Sequence, residues 1–198
     1  MKALFVALGT VGLLAGCTAN TAEEAPPTTA SADPMSPLSA PGFMMMAASS
    51  DQFEIQSSQL ALQMSQNPQV RAFAQTMIDH HSRTTAELTQ IAQANGMTPP
   101  PPTLTPAHQA LLDQVRAAPM GEFDAAYKRA QIQSHQEALT LMQNYAAQGD
   151  AAPLRDFATR TSPIIQQHLA QAQGLPETSM MQQPPMQQPA PSRAGERG

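Results

Sequence analysis

The sequence predicts an all-α protein built around a four-helix bundle, and three observations carry that reading. Four long segments between residues 42 and 175 place apolar residues at steps of three and four, the spacing that keeps side chains on one face of a helix. No stretch alternates apolar and polar residues as a half-buried strand would. Composition agrees: Ala, Gln, Leu and Met dominate, aromatics are 4% and tryptophan is missing, which favours helix over sheet.

The N-terminus reads as an address rather than as part of the fold. Met1-Lys2 precedes an apolar run from Ala3 to Leu14, and the small residues Ala15-Gly16 come just before Cys17, the layout of a secretory signal. The run is shorter than the ~20 residues a bilayer-spanning helix needs. Leu14-Ala15-Gly16-Cys17 resembles a lipobox, whose cysteine is acylated (palmitate among its acyl chains) and becomes the mature N-terminus. Several acyl chains together anchor durably where one alone does not. Thr18 stands where an aspartate would signal inner-membrane retention, so the resemblance to Gram-negative sorting implies the outer membrane, with the protein facing the periplasm. Residues 18–41, rich in Thr, Ala, Ser and Pro, read as a disordered tether, and residues 176–198 as a disordered Pro/Gln/Met tail.

Between these lies one domain, residues 42–175. The first helix is expected from Gly42 to Gln66. Asn67-Pro68 gives the second an N-cap and a proline at its first position, and Gly96 closes it after Asn95. Pro99 to Pro102 forbid helix and open a long connection, within which Thr105-Pro106 starts a short helix through Arg116. The third long helix is expected from Gly121 to Gln148. Asp150 is placed to cap the fourth, which runs to Gln173 with a kink at Pro163. Tight turns make the outer helix pairs antiparallel hairpins. The 97–120 connection is longer than a bundle turn requires and has the length for a ferritin-like crossover.

Charge and cysteine content narrow the function. Net charge is −5 with 13% charged residues and no basic run, so nucleic-acid binding is not expected. Cys17 is the only cysteine; once acylated it leaves no thiol for a disulfide, a metal site or a nucleophile. Any metal chemistry must fall to His, Glu or Met.

The helical stripes supply such residues. Val70, Ala74, Met77, His81, Thr84, Leu88 and Ile91 form one face of the second helix. Tyr127, Gln131, His135, Ala138, Met142 and Tyr145 form one on the third, and Leu154, Phe157, Thr161, Ile164, His168, Ala172 and Leu175 one on the fourth. On the first, Ala47, Asp51, Glu54, Ser58 and Ala61 make a small, more polar face. Measured from the hairpin turns at about 1.5 Å per residue, Glu54 and His81 lie within roughly one turn of the same height, as do His135 and His168. Glu54, His81, His135 and His168 thus converge as a candidate shell for one transition-metal ion; zinc, copper and iron all suit it, and no organic cofactor motif is present. The competing reading is a polar layer that only fixes bundle register, since buried carboxylates and imidazoles also occur as satisfied core residues. His80, off the stripe centre, and His108, on the short helix, are expected at the surface, with His80 a reserve ligand. Met44-Met45-Met46, Met180, Met181 and Met186 offer thioethers for Cu(I), although methionine is also common helix filler.

Several segments together resemble the family of exported bacterial proteins called domain of unknown function 4142. They are Phe53-Glu54-Ile55 with Leu60-Ala61; Val70-Arg71-Ala72-Phe73-Ala74 with Met77 and His81; Phe123-Asp124 with Tyr127 and His135; and Leu154, Phe157-Ala158, Pro163 and His168-Leu169. The resemblance spans the middle domain and implies a ferritin-like four-helix fold. The family usually carries Asp-His on the second and third helices; here His80 and Ser134 hold the Asp positions, which implies a weaker acidic support for the imidazoles. Di-iron bundles need Glu-x-x-His on two helices, but Ile78 and Ile165 stand three residues before His81 and His168, so a ferroxidase is not expected. The leading expectation is a non-catalytic envelope lipoprotein whose bundle binds one metal ion. The alternatives are an envelope interaction module and a mononuclear-metal redox enzyme.

Overall fold

The computed structural model describes residues 33–177. The signal segment, Cys17 and most of the expected tether and tail lie outside the described residues. Within them the chain is helical: α1 (Ala40–Met64), α2 (Pro68–Ala94), α3 (Pro106–Ala117), a 3-10 turn (Met120–Glu122), α4 (Phe123–Gln148) and α5 (Ala152–Gln173). No helix among the described residues is long and apolar enough to cross a membrane.

The helix ends show local chemistry outweighing simple periodicity. α1 starts two residues before the expected Gly42, because Ser39 caps it by accepting the Gly42 N–H at 3.3 Å. The expected tether therefore ends earlier, and the Leu38 carbonyl accepts the Asp150 N–H at 3.1 Å, tying this end to the α4–α5 turn. Asn67 caps α2 as expected, accepting the Gln69 N–H at 2.9 Å. Gly96 takes φ 68°, and the bonds Gly96 N–H to Gln93 O (3.2 Å) and Met97 N–H to Ala92 O (2.9 Å) close α2. Asp150 does not cap α5. Its carboxylate accepts the Tyr145 hydroxyl at 2.8 Å instead, and Ala151 takes the cap position without a side-chain bond. α5 continues through Pro163.

Cross-helix contacts fix the topology. Asp51 of α1 meets His81, Thr84 and Thr85 of α2. Phe43 stacks on Tyr145, Ser57 bonds Gln131 and Ser58 bonds Tyr127, so α4 runs antiparallel to α1. His80 meets His168 and Glu87 meets Arg160, so α5 runs antiparallel to α2. α2 and α4 then run the same way, and residues 95–122 must travel the length of the bundle. α3 lies in that crossover and packs Leu111, Leu112 and Val115 into the cluster holding Phe53, Ala61 and Phe123. This is the ferritin-like connection.

The core is not continuous. One apolar cluster gathers Phe43, Met44, Leu88, Met142, Tyr145, Leu154 and Phe157, and the other gathers Phe53, Val70, Phe73, Met77, Phe123 and Tyr127. Between them lie the buried polar residues Asp51, Glu54, His81, Gln131, His135, Thr161 and His168. Each end supplies ordinary hydrophobic stabilisation; the middle layer has to satisfy its polar atoms within itself.

Candidate metal centre

The stripes of α1 and α4 bury the residues the periodicity selected, and that of α2 does so except at Thr84 and Ile91, which are half-buried. On α5 one position differs: Ile165, not Ile164, faces inward with Thr161 and His168, and Ile164 is exposed. Both spacings keep a three-four rhythm, so only the rotation of α5 against its neighbours decides between them.

His81, His135 and His168 meet at mid-bundle, each offering one ring nitrogen within 4.8 Å of the other two. Ring centroids are 5.8 Å apart for His81–His135, 5.6 Å for His81–His168 and 5.5 Å for His135–His168. In every case the opposite nitrogen is engaged. His81 Nδ1 lies 2.7 Å from Asp51 Oδ1, His135 Nδ1 lies 2.8 Å from the Gln131 carbonyl, and His168 Nε2 lies 2.8 Å from His80 Nδ1. A carboxylate and a carbonyl only accept, so the first two rings donate through Nδ1. When neutral, both present a bare Nε2. In the tautomer in which His168 Nε2 donates to His80 Nδ1, His168 presents a bare Nδ1 as well.

Those three remaining atoms, His81 Nε2, His135 Nε2 and His168 Nδ1, are buried and have no hydrogen-bond partner among the described residues. A buried acceptor without a partner costs on the order of 1–3 kcal/mol. Three such atoms on facing rings fit a shared electrophile, and an ion held by imidazoles with supported far nitrogens is the usual form of such a site. Glu54 stands beside this cluster rather than in it. Its carboxylate is buried, Oε1 lies 3.5 Å from His135 Nδ1, and neither oxygen has a hydrogen-bond partner among the described residues. It supplies negative charge next to a prospective cation.

The electrostatics separate the three rings. Burial, followed by the charges of the neighbouring histidines, drives His168 down to about 3. Burial also lowers His135, against the pull of Glu54. For His81 burial acts the same way, but the Asp51 hydrogen bond and the charges of Asp51 and Glu54 outweigh it and the pKa is raised. Burial thus favours the neutral form at His135 and His168, while Asp51 and Glu54 favour the charged form at His81.

Two expectations change here. His80 is half-buried and bonded to His168, not a solvated residue. His108 is half-buried too: its Nδ1 lies 2.6 Å from Ser49 Oγ and its ring stacks on Phe53 at 5.9 Å. The acidic support expected to be weak comes from a different helix. Asp51 on α1 holds His81 and also accepts the hydroxyls of Thr84 (3.1 Å) and Thr85 (3.0 Å). Asp51 was visible on the α1 stripe, one turn before Glu54, but nothing in the sequence pairs it with His81. Of the methionines, Met44 is core, Met142 lies near the imidazoles, and Met180, Met181 and Met186 lie outside the described residues.

The family described as domain of unknown function (DUF4142) matches residues 24–175. No curated protein matches the chain in sequence. Among solved structures, CopM in the Cu(II)-bound form aligns with a TM-score of 0.59 at 20% identity, covering 69% of this chain and 94% of that one. CopM in the Ag-bound form, obtained by co-crystallization, aligns with a TM-score of 0.56 at 20% identity, covering 69% and 93%. At that identity the likeness is one of fold.

Proposed function

The chain belongs to the DUF4142 family, and from that footing we propose that its bundle binds a single transition-metal ion through His81, His135 and His168, with Glu54 as a fourth ligand or neighbouring counter-charge. The observation that carries this is the set of three buried imidazole nitrogens without partners, each on a ring whose other nitrogen is held. A layer serving only to set bundle register would have no use for three partnerless ring nitrogens facing one another. Copper is the ion to test first: the similarly folded CopM structures hold Cu(II) and Ag, and imidazole with carboxylate suits Cu(II). Zinc and iron suit the same donors.

In this reading the metal supplies a positive charge that all three rings share. Asp51, the Gln131 carbonyl and His80 orient those rings and raise their basicity. The two apolar clusters flank the layer on either side. The signal-like N-terminus supports an envelope lipoprotein, acylated at Cys17 and held at the outer membrane facing the periplasm. Loss of membrane fractionation in a Cys17→Ala variant tests that anchoring, and unchanged fractionation rejects it.

The metal reading is tested by the copper, zinc and iron content of the purified protein against a His81→Ala/His135→Ala variant. About one equivalent in the wild type and almost none in the variant is expected. Equal substoichiometric metal in both eliminates the reading.

A further inference from the structure

The polar layer buries two carboxylates, Asp51 and Glu54, and among the described residues no Lys or Arg is buried with them. A further buried carboxylate, Asp124, lies eleven residues before His135 on α4, about 16 Å away along the helix. The two in the layer are held differently. Asp51 accepts from His81 and from the hydroxyls of Thr84 and Thr85, so three donors stabilise its charge. Glu54 is 1% exposed, and neither of its oxygens has a hydrogen-bond partner among the described residues. Its Oε1 stands 3.5 Å from His135 Nδ1, the nitrogen that faces the Gln131 carbonyl, and not beside the bare Nε2. Its oxygens are not among the ligand atoms that lie within 4.8 Å of one another. Burial is the largest influence on both His81 and His135, and the charge of Glu54 opposes it at both rings.

We propose that Glu54 is the residue that sets the charge of the ion, acting as a counter-charge and not as a ligand, so that the site selects a divalent over a monovalent cation. This rests on the metal reading above. With Asp51, Glu54 gives the layer two negative charges. A divalent cation balances both, whereas a monovalent one leaves a buried carboxylate uncompensated, which is costly. Asp51 has three donors to spread its charge, so the shortfall falls on Glu54. One unit of charge a few ångströms from an ion changes affinity by about tenfold or more at the effective dielectric of a protein site.

The test compares Zn(II) with Ag(I), two redox-silent ions that differ by one charge, by competition against chelators of known affinity. Ag(I) is also the softer ion, so the readout is the change in the Zn(II) to Ag(I) affinity ratio between variants. Glu54→Gln lowers Zn(II) affinity about tenfold more than Ag(I) affinity, and Glu54→Asp, which keeps the charge, leaves the ratio close to that of the wild type. Asp51→Asn removes the other charge and moves the ratio the same way, which covers a Glu54→Gln protein that does not fold. Cu(II) bound to the Glu54→Gln variant keeps the wild-type electron paramagnetic resonance lines, because no ligand is lost. An unchanged ratio in a folded Glu54→Gln variant overturns the proposal, as do copper lines that shift to those of a site with one oxygen ligand fewer. A wild type that binds neither ion better than the His81→Ala/His135→Ala variant removes the metal reading, and this inference with it.

Discussion

Asp51 shows how one residue sets the behaviour of another. Its carboxylate accepts from His81 and from two threonines, so His81 is held in a single orientation with Nε2 toward the other rings. An Asp51→Asn substitution keeps the shape and removes the charge. Metal affinity is expected to fall by about 10–100-fold, the usual cost of losing such support, with the helical spectrum unchanged. Competition against a chelator of known affinity measures this, and a change below about twofold would show that Asp51 only spaces the helices. At this scale the sequence was partly readable. Helical periodicity located His81, His135, His168 and Glu54 because each sits on its own helix's buried stripe. It did not reveal the roles of Asp51, His80 or His108, which depend on how neighbouring helices are rotated. His80 illustrates the limit: one residue beyond the stripe turns it about 100° away, yet His168 of α5 reaches it.

Elements were more legible than contacts, because helix boundaries are written locally. Asn67-Pro68, Thr105-Pro106 and Gly96 act where their chemistry says they should. The errors arose where another part of the chain competes. Asp150 was claimed by Tyr145, and α1 gained its first residues because Ser39 and the preceding turn fold back onto it. That turn makes Gly42 special. A Cβ there would run into the Ser36 carbonyl, which is backbone and has little freedom to move. Alanine should therefore destabilise despite its better helix propensity, by about 1–3 kcal/mol as for other overpacked sites, or roughly 3–10 °C in Tm. Gly174 is the opposite case. Its φ of −80° suits any residue and an added Cβ meets nothing closer than 3.4 Å. Gly174→Ala should raise stability by about 0.4–1 kcal/mol by restricting the unfolded chain. Thermal unfolding of both variants checks the pair, and a Gly42→Ala protein as stable as the wild type would mean the turn at 33–39 contributes little.

At the scale of the whole molecule, two apolar clusters clamp a polar layer, and the chain's two tyrosines tie that arrangement together from either end. Tyr127 bonds Ser58 beside the metal layer, and Tyr145 bonds Asp150 at the α4–α5 turn. Both phenols are held well above their ordinary value of 10.0, by burial first, with the negative charge of Glu54 adding for Tyr127 and the Asp150 hydrogen bond for Tyr145. Above pH 10 the unfolded chain therefore releases phenolic protons that the folded chain keeps. The unfolded state then binds fewer protons, so stability falls as pH rises, by up to about 1.4 kcal/mol per pH unit for each tyrosine. Below pH 10 neither group contributes a slope. Because the chain has no tryptophan, phenolate absorbance reports these two residues without overlap. It should appear in the same cooperative step in which helical circular dichroism is lost, and a Tyr127→Phe variant should lose about half the alkaline slope. Phenolate forming near pH 10 while the helices remain intact would show that the clusters open locally. A bundle that opens so readily could not hold the three imidazoles in one fixed arrangement.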